Sequence, residues 1–380
     1  MNSKKIVHII PTLGGGGAEI LLGQIAIEQA KKGNEVHIIL LEDLHFTYIN
    51  YPLKIELENL VKLHFIKEQI NFSLKKRKFI CKTNNLKSLL NVINPNIIHS
   101  HLYLSEIFTH IHHFKNVKYI SHLHDNMHQF SFSKKRKLKQ NITDFLEVNW
   151  LKKQYKKSNT KFIAISEDTE NYFKDKLPSK IKKNICVLPN AINTKAYKPE
   201  FIEKTNQFKL ISVGNLVPKK NHEMLIDVLF YLKNISPLNY HLDILGFGPL
   251  HDDLQTKIDD LKLNENITLR GNVGNVAEFL TNSDIYIHTA KYEPFGMVFL
   301  EAMASGLPII STNGQGNANL ILNNFNGFLL DDFNIEKFAR KIDEICKNQP
   351  LRKKLGDNSL EFSTKFTIEQ YVEKLDEIYN

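Results

Sequence analysis

The segment 284–316 constrains the fold of this chain more than any other stretch of its sequence. Residues 284–289 are apolar enough for a short buried strand, residues 297–305 predict a helix, and residues 307–312 predict a second strand. A glycine and a proline directly after the helix provide its C-terminal end. A strand, a helix and a parallel strand in this order predict an α/β sheet whose ligands bind at the carboxyl ends of its strands.

Two carboxylates lie at this predicted ligand site. Glu293 is in the loop after the first strand and Glu301 is on the helix, so they can accept hydrogen bonds from two separate groups of hydroxyls. Pro294 and Gly296 bracket a turn whose backbone N–H groups, at the start of the helix, can face an anion. Carboxylates and free amides together suit a polyhydroxylated, phosphorylated ligand such as a nucleotide sugar.

The run from Glu293 to Pro308 reads E-P-F-G-x-x-x-L-E-A-M-A-x-G-x-P. It resembles the donor-binding signature of the retaining glycosyltransferases of family 4. The resemblance implies an α/β protein of the GT-B fold, with two Rossmann-like domains facing each other across a cleft and a C-terminal helix that crosses back to the first domain. It also implies transfer of a hexose from a nucleotide diphosphate sugar, such as a UDP- or GDP-sugar, to a glycan acceptor in cell-surface polysaccharide synthesis.

The resemblance also assigns individual residues to the expected site. Three residues are expected to be catalytic, namely His124, Lys220 and Glu293. The residues expected to bind the donor are Gly16, Gly17, Gly214, Asn215, Lys220, Val273, Glu293, Pro294, Phe295, Gly296, Met297 and Glu301. We expect no metal and no other cofactor, because lysine side chains and helix dipoles can stabilise the leaving diphosphate.

A glycine loop follows the first predicted strand, residues 6–10, and precedes a predicted helix over residues 18–32. Its four glycines let a ligand approach the backbone closely, and the helix start adds a partial positive charge. No GxGxxG can be read, because the third glycine position falls on Glu19 or Ile20, so a dinucleotide fingerprint is unsupported. The resemblance makes this loop a diphosphate contact, and a tight turn without a ligand is the alternative.

A second loop of the same kind follows the predicted strand 210–213. Lys220 matches the lysine with which the family grips the diphosphate, whereas Asn215 stands where the family has arginine. An amide can hydrogen-bond a phosphate but cannot neutralise its charge, so two alternatives stay open: Lys219 compensates for the missing arginine, or the donor is held differently. Val273 follows the predicted strand 267–271, in the region that usually receives the base.

Histidines alternate along two further predicted strands, in an HxH pair at 99–101 and another at 122–124. A metal site is unsupported, because no cysteine or carboxylate completes a ligand set at a familiar spacing. His124 and Asp125 instead resemble the family's HD-type loop, whose histidine lies beside the donor sugar.

Charge is unevenly distributed along the chain. Residues 1–200 contain 32 Lys and Arg against 17 Asp and Glu, whereas residues 201–380 contain 18 against 24. This asymmetry favours two units with different partners. The residues P-N-A-I-N before a polar linker resemble the family's hinge motif, so we expect an acceptor-side domain over 1–200, a donor domain over 201–365 and a terminal helix over 366–380.

The most basic segment, residues 130–157, interleaves lysines with Phe130, Phe132, Phe145 and Trp150. It can contact an anionic membrane surface, bind nucleic acid, or form a solvated loop. Nucleic acid is disfavoured, because no recognition module accompanies the charge. We expect a peripheral enzyme at the inner leaflet that extends a lipid-linked glycan.

Other features of the sequence favour a cytoplasmic enzyme. The three cysteines are far apart, no apolar run is long enough to cross a bilayer, and no signal peptide can be read at the N-terminus. Two alternatives remain open at this point. One is a GT-B enzyme that makes a small-molecule glycoside or epimerises a nucleotide sugar, and the other is an inactive sugar-nucleotide-binding or membrane-scaffold protein.

Overall fold

A computed structural model describes residues 3–41, 51–81, 83–134, 136–197 and 207–380. The chain divides into two units, one comprising Met1–Asn190 and Ile368–Asn380 and the other Ala191–Thr367. The domain boundary expected near residue 200 and the basic residue Lys135 lie outside the described residues. The domain limits read from the sequence therefore stay predictions.

The first unit is built on a parallel sheet of seven strands in the order β3-β2-β1-β6-β7-β8-β9, and an antiparallel hairpin of β4 and β5 follows β3 in sequence. Its strands are β1 (Lys5–Ile10), β2 (Glu35–Leu40), β3 (Lys62–Phe65), β4 (Ile70–Ser73), β5 (Lys78–Cys81), β6 (Ile97–His101), β7 (Lys118–Leu123), β8 (Lys161–Ala164) and β9 (Ile185–Val187). Its helices up to the second unit are α1 (Gly17–Lys31), α2 (Tyr51–Leu60), α3 (Asn85–Ile93), α4 (Leu102–Ile111), α5 (Leu138–Ser158), α6 (Glu167–Lys176) and α7 (Ser179–Lys182).

The second unit is built on a parallel sheet of six strands in the order β12-β11-β10-β13-β14-β15. Its strands are β10 (Gln207–Val213), β11 (Asn239–Leu245), β12 (Ile267–Gly271), β13 (Ile285–His288), β14 (Ile309–Thr312) and β15 (Gly327–Leu330). Its helices are α8 (His222–Ile235), α9 (His251–Asp260), α10 (Val276–Thr281), α11 (Met297–Ala304), α12 (Ile335–Lys347) and α13 (Gln349–Ser363), and α14 (Ile368–Tyr379) then returns to the first unit.

Central strands of both sheets are buried on both faces, which explains their nearly continuous apolar sequences. In each sheet the chain reverses its direction of progress beside the first strand, since β1 pairs with both β2 and β6 and β10 pairs with both β11 and β13. Ligands of open parallel sheets bind at the carboxyl ends of the strands at such switch points. The glycine loop after β1 and the loop after β10 lie at these two positions.

Helix α14 completes the first unit. It packs against α1, and the Lys118 ammonium donates a 2.8 Å hydrogen bond to the Tyr379 carbonyl. The C-terminal helix expected from the sequence is therefore confirmed, as is its packing on the N-terminal unit. At the border of the second unit, Ile192 forms a parallel bridge with Thr367, and its N–H donates to the Phe366 carbonyl at 3.0 Å.

The basic segment is largely helical, because α5 covers Leu138–Ser158. The alternative of a solvated loop is thus wrong for these residues. One face of the helix, with Val148, Leu151 and Tyr155, is buried in the first unit.

Candidate active site

The loop between β10 and α8 is fastened to the end of β13. The Lys291 N–H donates to the Lys219 carbonyl at 2.8 Å, and the Thr289 hydroxyl donates to the Asn221 carbonyl at 2.9 Å. These bonds hold a short 3₁₀ turn, Pro218–Lys220, over the carboxyl edge of the sheet.

This turn brings two of the predicted catalytic residues together. The Lys220 ammonium donates directly to Oε2 of Glu293, and both side chains are largely buried. A Cβ added at Gly214 would lie 3.5 Å from the Lys220 side chain, so this predicted donor-binding residue lines the lysine stem. A buried ion pair is weak evidence for stability, and its position at a ligand edge points to a functional role.

His288 is a third member of the cluster that the sequence analysis missed. Its Nε2 lies 3.2 Å from Oε2 of Glu293, and its Nδ1 lies 3.1 Å from the Tyr286 hydroxyl. Burial lowers the pKa of His288, so the ring is neutral at pH 7, with its proton on Nε2 donated to the carboxylate. The period of two along β13, which places residues 286 and 288 on one face, is the signal that could have found it.

Glu293 is ionised despite its burial. Burial alone would raise its pKa, but the hydrogen bond from His288 and the positive charge of Lys220 lower the pKa of Glu293 to about 2. The backbone of Glu293 is fixed as well, because its N–H donates to the Gly314 carbonyl at 2.8 Å.

The loop after β14 packs against the backbone of the Glu293 loop. A Cβ at Gly316 would overlap the Pro294 carbonyl oxygen, so only glycine permits this close approach. Asn317 is buried and accepts a 2.9 Å hydrogen bond from the Gly314 N–H, while its amide donates to the Thr312 carbonyl at 3.1 Å. The two loops therefore pack closely against each other. The contribution of Asn317 to this packing was not recognised from the sequence.

The second signature glutamate has a different environment. Glu301 is buried on α11, and burial raises its pKa to about 7, while a hydrogen bond with the Tyr197 hydroxyl acts in the opposite direction. Tyr197 was not identified from the sequence. In this structure its hydroxyl already uses the carboxylate that the resemblance assigns to the donor.

The remaining predicted donor residues of the second unit lie along the same edge. Phe295 and Met297 are buried at the start of α11, and Gly296 precedes the helix with a φ of 88°. Asn215 is exposed after β10, and Val273 is partly buried two residues after the edge strand β12.

The glycine loop of the first unit already holds an anionic group of its own chain. The carboxyl group of Glu19 accepts hydrogen bonds from the backbone N–H groups of Gly14 and Gly16 and from the Thr12 hydroxyl, the last at 3.4 Å. Burial raises the pKa of Glu19. Gly16 and Gly17 thus begin α1 in a loop whose amides can hold an oxyanion, and any phosphate there competes with Glu19.

His124 follows β7 in the first unit and ends a chain of buried imidazoles. Its Nε2 lies 2.9 Å from Nδ1 of His101, whose Nε2 lies 3.0 Å from Nδ1 of His8. The Nε2 of His8 in turn lies 2.8 Å from Oε1 of Gln29. Sequence analysis found the HxH pairs but missed His8 and Gln29, which are distant in sequence from them.

The structure therefore divides the predicted residues between the two units. Gly16, Gly17 and His124 belong to the first unit, and the others belong to the second, where Lys220 and Glu293 are in direct contact. Two α/β units, each built on an open parallel sheet, have the architecture of a GT-B glycosyltransferase.

The chain belongs to glycosyltransferase family 4. The model of that family, described as Glycosyltransferase Family 4, matches residues 15–196, and the model described as Glycosyl transferases group 1 matches residues 193–362. The enzyme is accordingly of the hexosyltransferase type and uses a nucleotide sugar.

Similar proteins are glycosyltransferases as well. The chain is 26% identical over 374 residues to an uncharacterized glycosyltransferase of Haemophilus influenzae, covering 98% of each chain. It is 27% identical over 268 residues to the UDP-Gal:alpha-D-GlcNAc-diphosphoundecaprenol alpha-1,3-galactosyltransferase of Escherichia coli, covering 67% of each. Among solved structures, Anabaena Alr3699/HepE in complex with UDP has the same fold, with a TM-score of 0.77 at 18% identity and 98% coverage of both chains.

In the part of the chain that the structure describes, no helix combines the length and the apolar character needed to span a bilayer.

Proposed function

We propose that this enzyme transfers a hexose from a UDP-sugar, with retention of anomeric configuration, to a glycan carried on a lipid at the cytoplasmic face of a membrane. The contact of Lys220 with Glu293 at the carboxyl edge of the second sheet is the observation that supports the donor part of this proposal. UDP is favoured over GDP because the Escherichia coli relative is named for a UDP-Gal donor and the Anabaena protein was solved with UDP.

Lys220 supplies the charge that the reaction requires. When the bond between the sugar and the diphosphate breaks, negative charge develops on the leaving phosphate, and a preorganised ammonium group stabilises it. Glu293 and His288 hold this ammonium in place before the donor arrives. Asn215, exposed after β10, can add a hydrogen bond but no charge, so Lys220 carries most of the neutralisation.

The experiment is calorimetric titration of the enzyme with UDP and GDP. The Lys220→Ala variant should bind UDP at least about tenfold more weakly, since a hydrogen bond to a charged group contributes roughly 1.5–3 kcal/mol. Lys219→Ala is the matched control, because Lys219 is adjacent and exposed and should leave UDP affinity unchanged. Equal UDP affinity in Lys220→Ala and the wild type would reject this donor site.

A surface of the first unit supports the membrane half of the proposal. Four apolar side chains there are strongly exposed, namely Phe132 (71%), Leu138 (67%), Ile142 (50%) and Phe145 (65%). The last three follow helical spacing on the first turns of α5, so they share one face. We call these four residues the α5 apolar surface.

Basic residues flank the α5 apolar surface. Lys134, Lys137 and Lys139 are exposed beside it, and each lysine near an anionic bilayer contributes about 1 kcal/mol. Arg136 is different, because its guanidinium pairs with Asp144 and donates to backbone carbonyls, so it stabilises the loop. Apolar residues framed by lysines suit insertion at the interface of an anionic membrane.

Sedimentation with vesicles tests this half separately. The wild type should bind vesicles of phosphatidylcholine with phosphatidylglycerol, and bind those of phosphatidylcholine alone more weakly. Replacing Lys134, Lys137 and Lys139 by Gln should release the protein, whereas the same change at the exposed Lys115, Lys180 and Lys183 should have little effect. Equal binding of the two triple variants would contradict the proposal and favour a soluble acceptor.

A further inference from the structure

One face of the sheet in the first unit carries an array of five buried histidines. His8 of β1, His99 and His101 of β6, and His122 of β7 lie on this face together with His124, which follows β7. Helices α1 and α14 supply Gln29 and Tyr379 to the same array, and both side chains are buried. The role that the resemblance implies for His124, beside the donor sugar, does not involve the other residues of this array.

The hydrogen bonds of Gln29 fix the direction of this array. Its Nε2 donates to the Tyr379 hydroxyl at 3.3 Å, and that hydroxyl lies 2.8 Å from Nδ1 of His99. The Gln29 carbonyl oxygen therefore faces His8 at 2.8 Å and must accept a hydrogen bond from its Nε2–H.

The direction then propagates through the imidazoles. Burial lowers the pKa of His8 to about 4 and that of His124 to about 3, so these rings are neutral at pH 7, and burial likewise lowers the pKa of His101. A neutral imidazole has one N–H and one lone pair. Because His8 donates through Nε2, its Nδ1 accepts from His101, whose Nδ1 accepts from His124.

We propose that Gln29, His8 and His101 are positioning residues that hold His124 in the tautomer with its proton on Nε2, leaving the Nδ1 lone pair to accept a hydrogen bond from a substrate hydroxyl. In the described part of the chain, Nδ1 of His124 is buried without a hydrogen-bond partner. The same holds for Nε2 of His99 and Nδ1 of His122, but these two residues lie within strands. His124 lies beyond the end of β7, at the edge where ligands of parallel sheets bind.

A metal ion is the competing interpretation of the array. Nitrogen atoms of His8, His99 and His101 lie close enough together to hold one, as do those of His101, His122 and His124. However, the rings of His99 and His101 are stacked at 4.3 Å, and those of His122 and His124 at 4.0 Å. An imidazole binds an ion that lies in the plane of its ring, and the planes of two stacked rings are separate and meet at only 26° and 24°, so one ion cannot lie close to both planes and the geometry favours the hydrogen-bonded chain.

The tautomers can be read directly from long-range 1H–15N correlation spectra of protein labelled at the histidine ring nitrogens, with His124 assigned from a His124→Gln variant. The wild type should show His8, His101 and His124 protonated on Nε2. Gln29→Met, which keeps the side-chain volume but removes both polar atoms, should populate both tautomers of His124. Tyr379→Phe should do so to a smaller extent, and it retains nearly all the buried surface of the tyrosine.

Tyr371→Phe is the matched control, because the Tyr371 hydroxyl contacts the neighbouring His122, at 3.3 Å, and should leave the tautomer of His124 unchanged. A wild-type His124 protonated on Nδ1, or an unchanged tautomer in Gln29→Met, would overturn the proposal. Loss of the ring N–H signals on adding stoichiometric Zn²⁺ would also overturn the proposal and would identify the array as a metal site.

The catalytic role of this tautomer rests on the proposed function. If that function holds, Gln29→Met should lower kcat in proportion to the fraction of His124 that the spectra show in the wrong tautomer, because that tautomer presents an N–H where the substrate needs an acceptor. The affinity for UDP should stay unchanged. Failure of the wild type to bind UDP would reject the proposed function and leave the tautomer measurement intact. Normal turnover in Gln29→Met would overturn only the catalytic role of the tautomer that Gln29, His8 and His101 set.

Discussion

At the scale of single residues, the two signature glutamates differ more than their shared motif suggests. Glu293 has a positive neighbour and a hydrogen-bond donor, and its pKa is lowered to about 2, whereas the pKa of buried Glu301 is raised to about 7. One carboxylate is permanently charged and the other titrates near neutral pH. The motif determines both residue types, but the neighbours Lys220, His288 and Tyr197 determine what each carboxylate can do.

This difference predicts the pH dependence of donor binding. If ionised Glu301 accepts hydrogen bonds from donor hydroxyls, UDP affinity should increase as the pH rises through about 7, by up to about tenfold between pH 6 and pH 8. The sign follows from the direction of the titration, because the carboxylate is the basic form and becomes more populated as the pH rises. Calorimetric UDP affinities measured across this range provide the check.

The Glu301→Gln variant is the control for that measurement. At pH 8 its UDP affinity should be lower than that of the wild type. Because glutamine does not titrate, its pH profile should also be flatter. Parallel profiles for the two proteins would show that Glu301 does not contribute to donor binding through its charge.

At the scale of elements, the sequence predicted the edge strand β12 with the observed bounds. It predicted α11 to within one residue, since the helix ends at Ala304. These elements depend on local apolar runs and on glycine or proline at their ends. Contacts between distant residues, such as Gln29 with His8 or Tyr197 with Glu301, leave no comparable local pattern.

The basic segment shows a second limit of the sequence. Lysines in α5 obscure its apolar periodicity, and its exposed apolar residues do not face the core of the unit. Binary patterning predicts helices whose apolar face is buried, whereas this helix has one buried face and one exposed apolar surface. The helix and its α5 apolar surface therefore required the structure.

The close contact of two loops gives a prediction at this scale. Gly316→Ala should destabilise the protein by roughly 1–3 kcal/mol, because the added methyl group overlaps the Pro294 carbonyl and the backbone must shift. Gly274→Ala is the control, since no atom lies within 4 Å of a Cβ at that position. Chemical denaturation should show a lower midpoint for the first variant only, and equal midpoints would show that the loops can separate at little cost.

At the scale of the whole molecule, the second unit has its own sheet and its own core. Its buried cluster extends from Leu210 to Leu355 and includes residues of β10–β14 and of α8, α9 and α12. We predict that residues 191–367 expressed alone fold cooperatively and bind UDP with an affinity within about tenfold of the intact enzyme. Thermal unfolding with and without UDP tests this, and a fragment that folds without any UDP response would place part of the nucleotide site in the first unit.

The bridge between Ile192 and Thr367 gives this second unit the form of an exchangeable cassette. Its two ends meet within hydrogen-bonding distance, at 3.0 Å between the Ile192 nitrogen and the Phe366 oxygen, so excising or replacing everything between them leaves the spacing of the flanking chain unchanged. Insertions whose ends are close together are tolerated by the host domain. If the second unit binds the donor as proposed, a different cassette inserted at this junction would bring a different donor site, while the α5 apolar surface and the histidine array remained as they were.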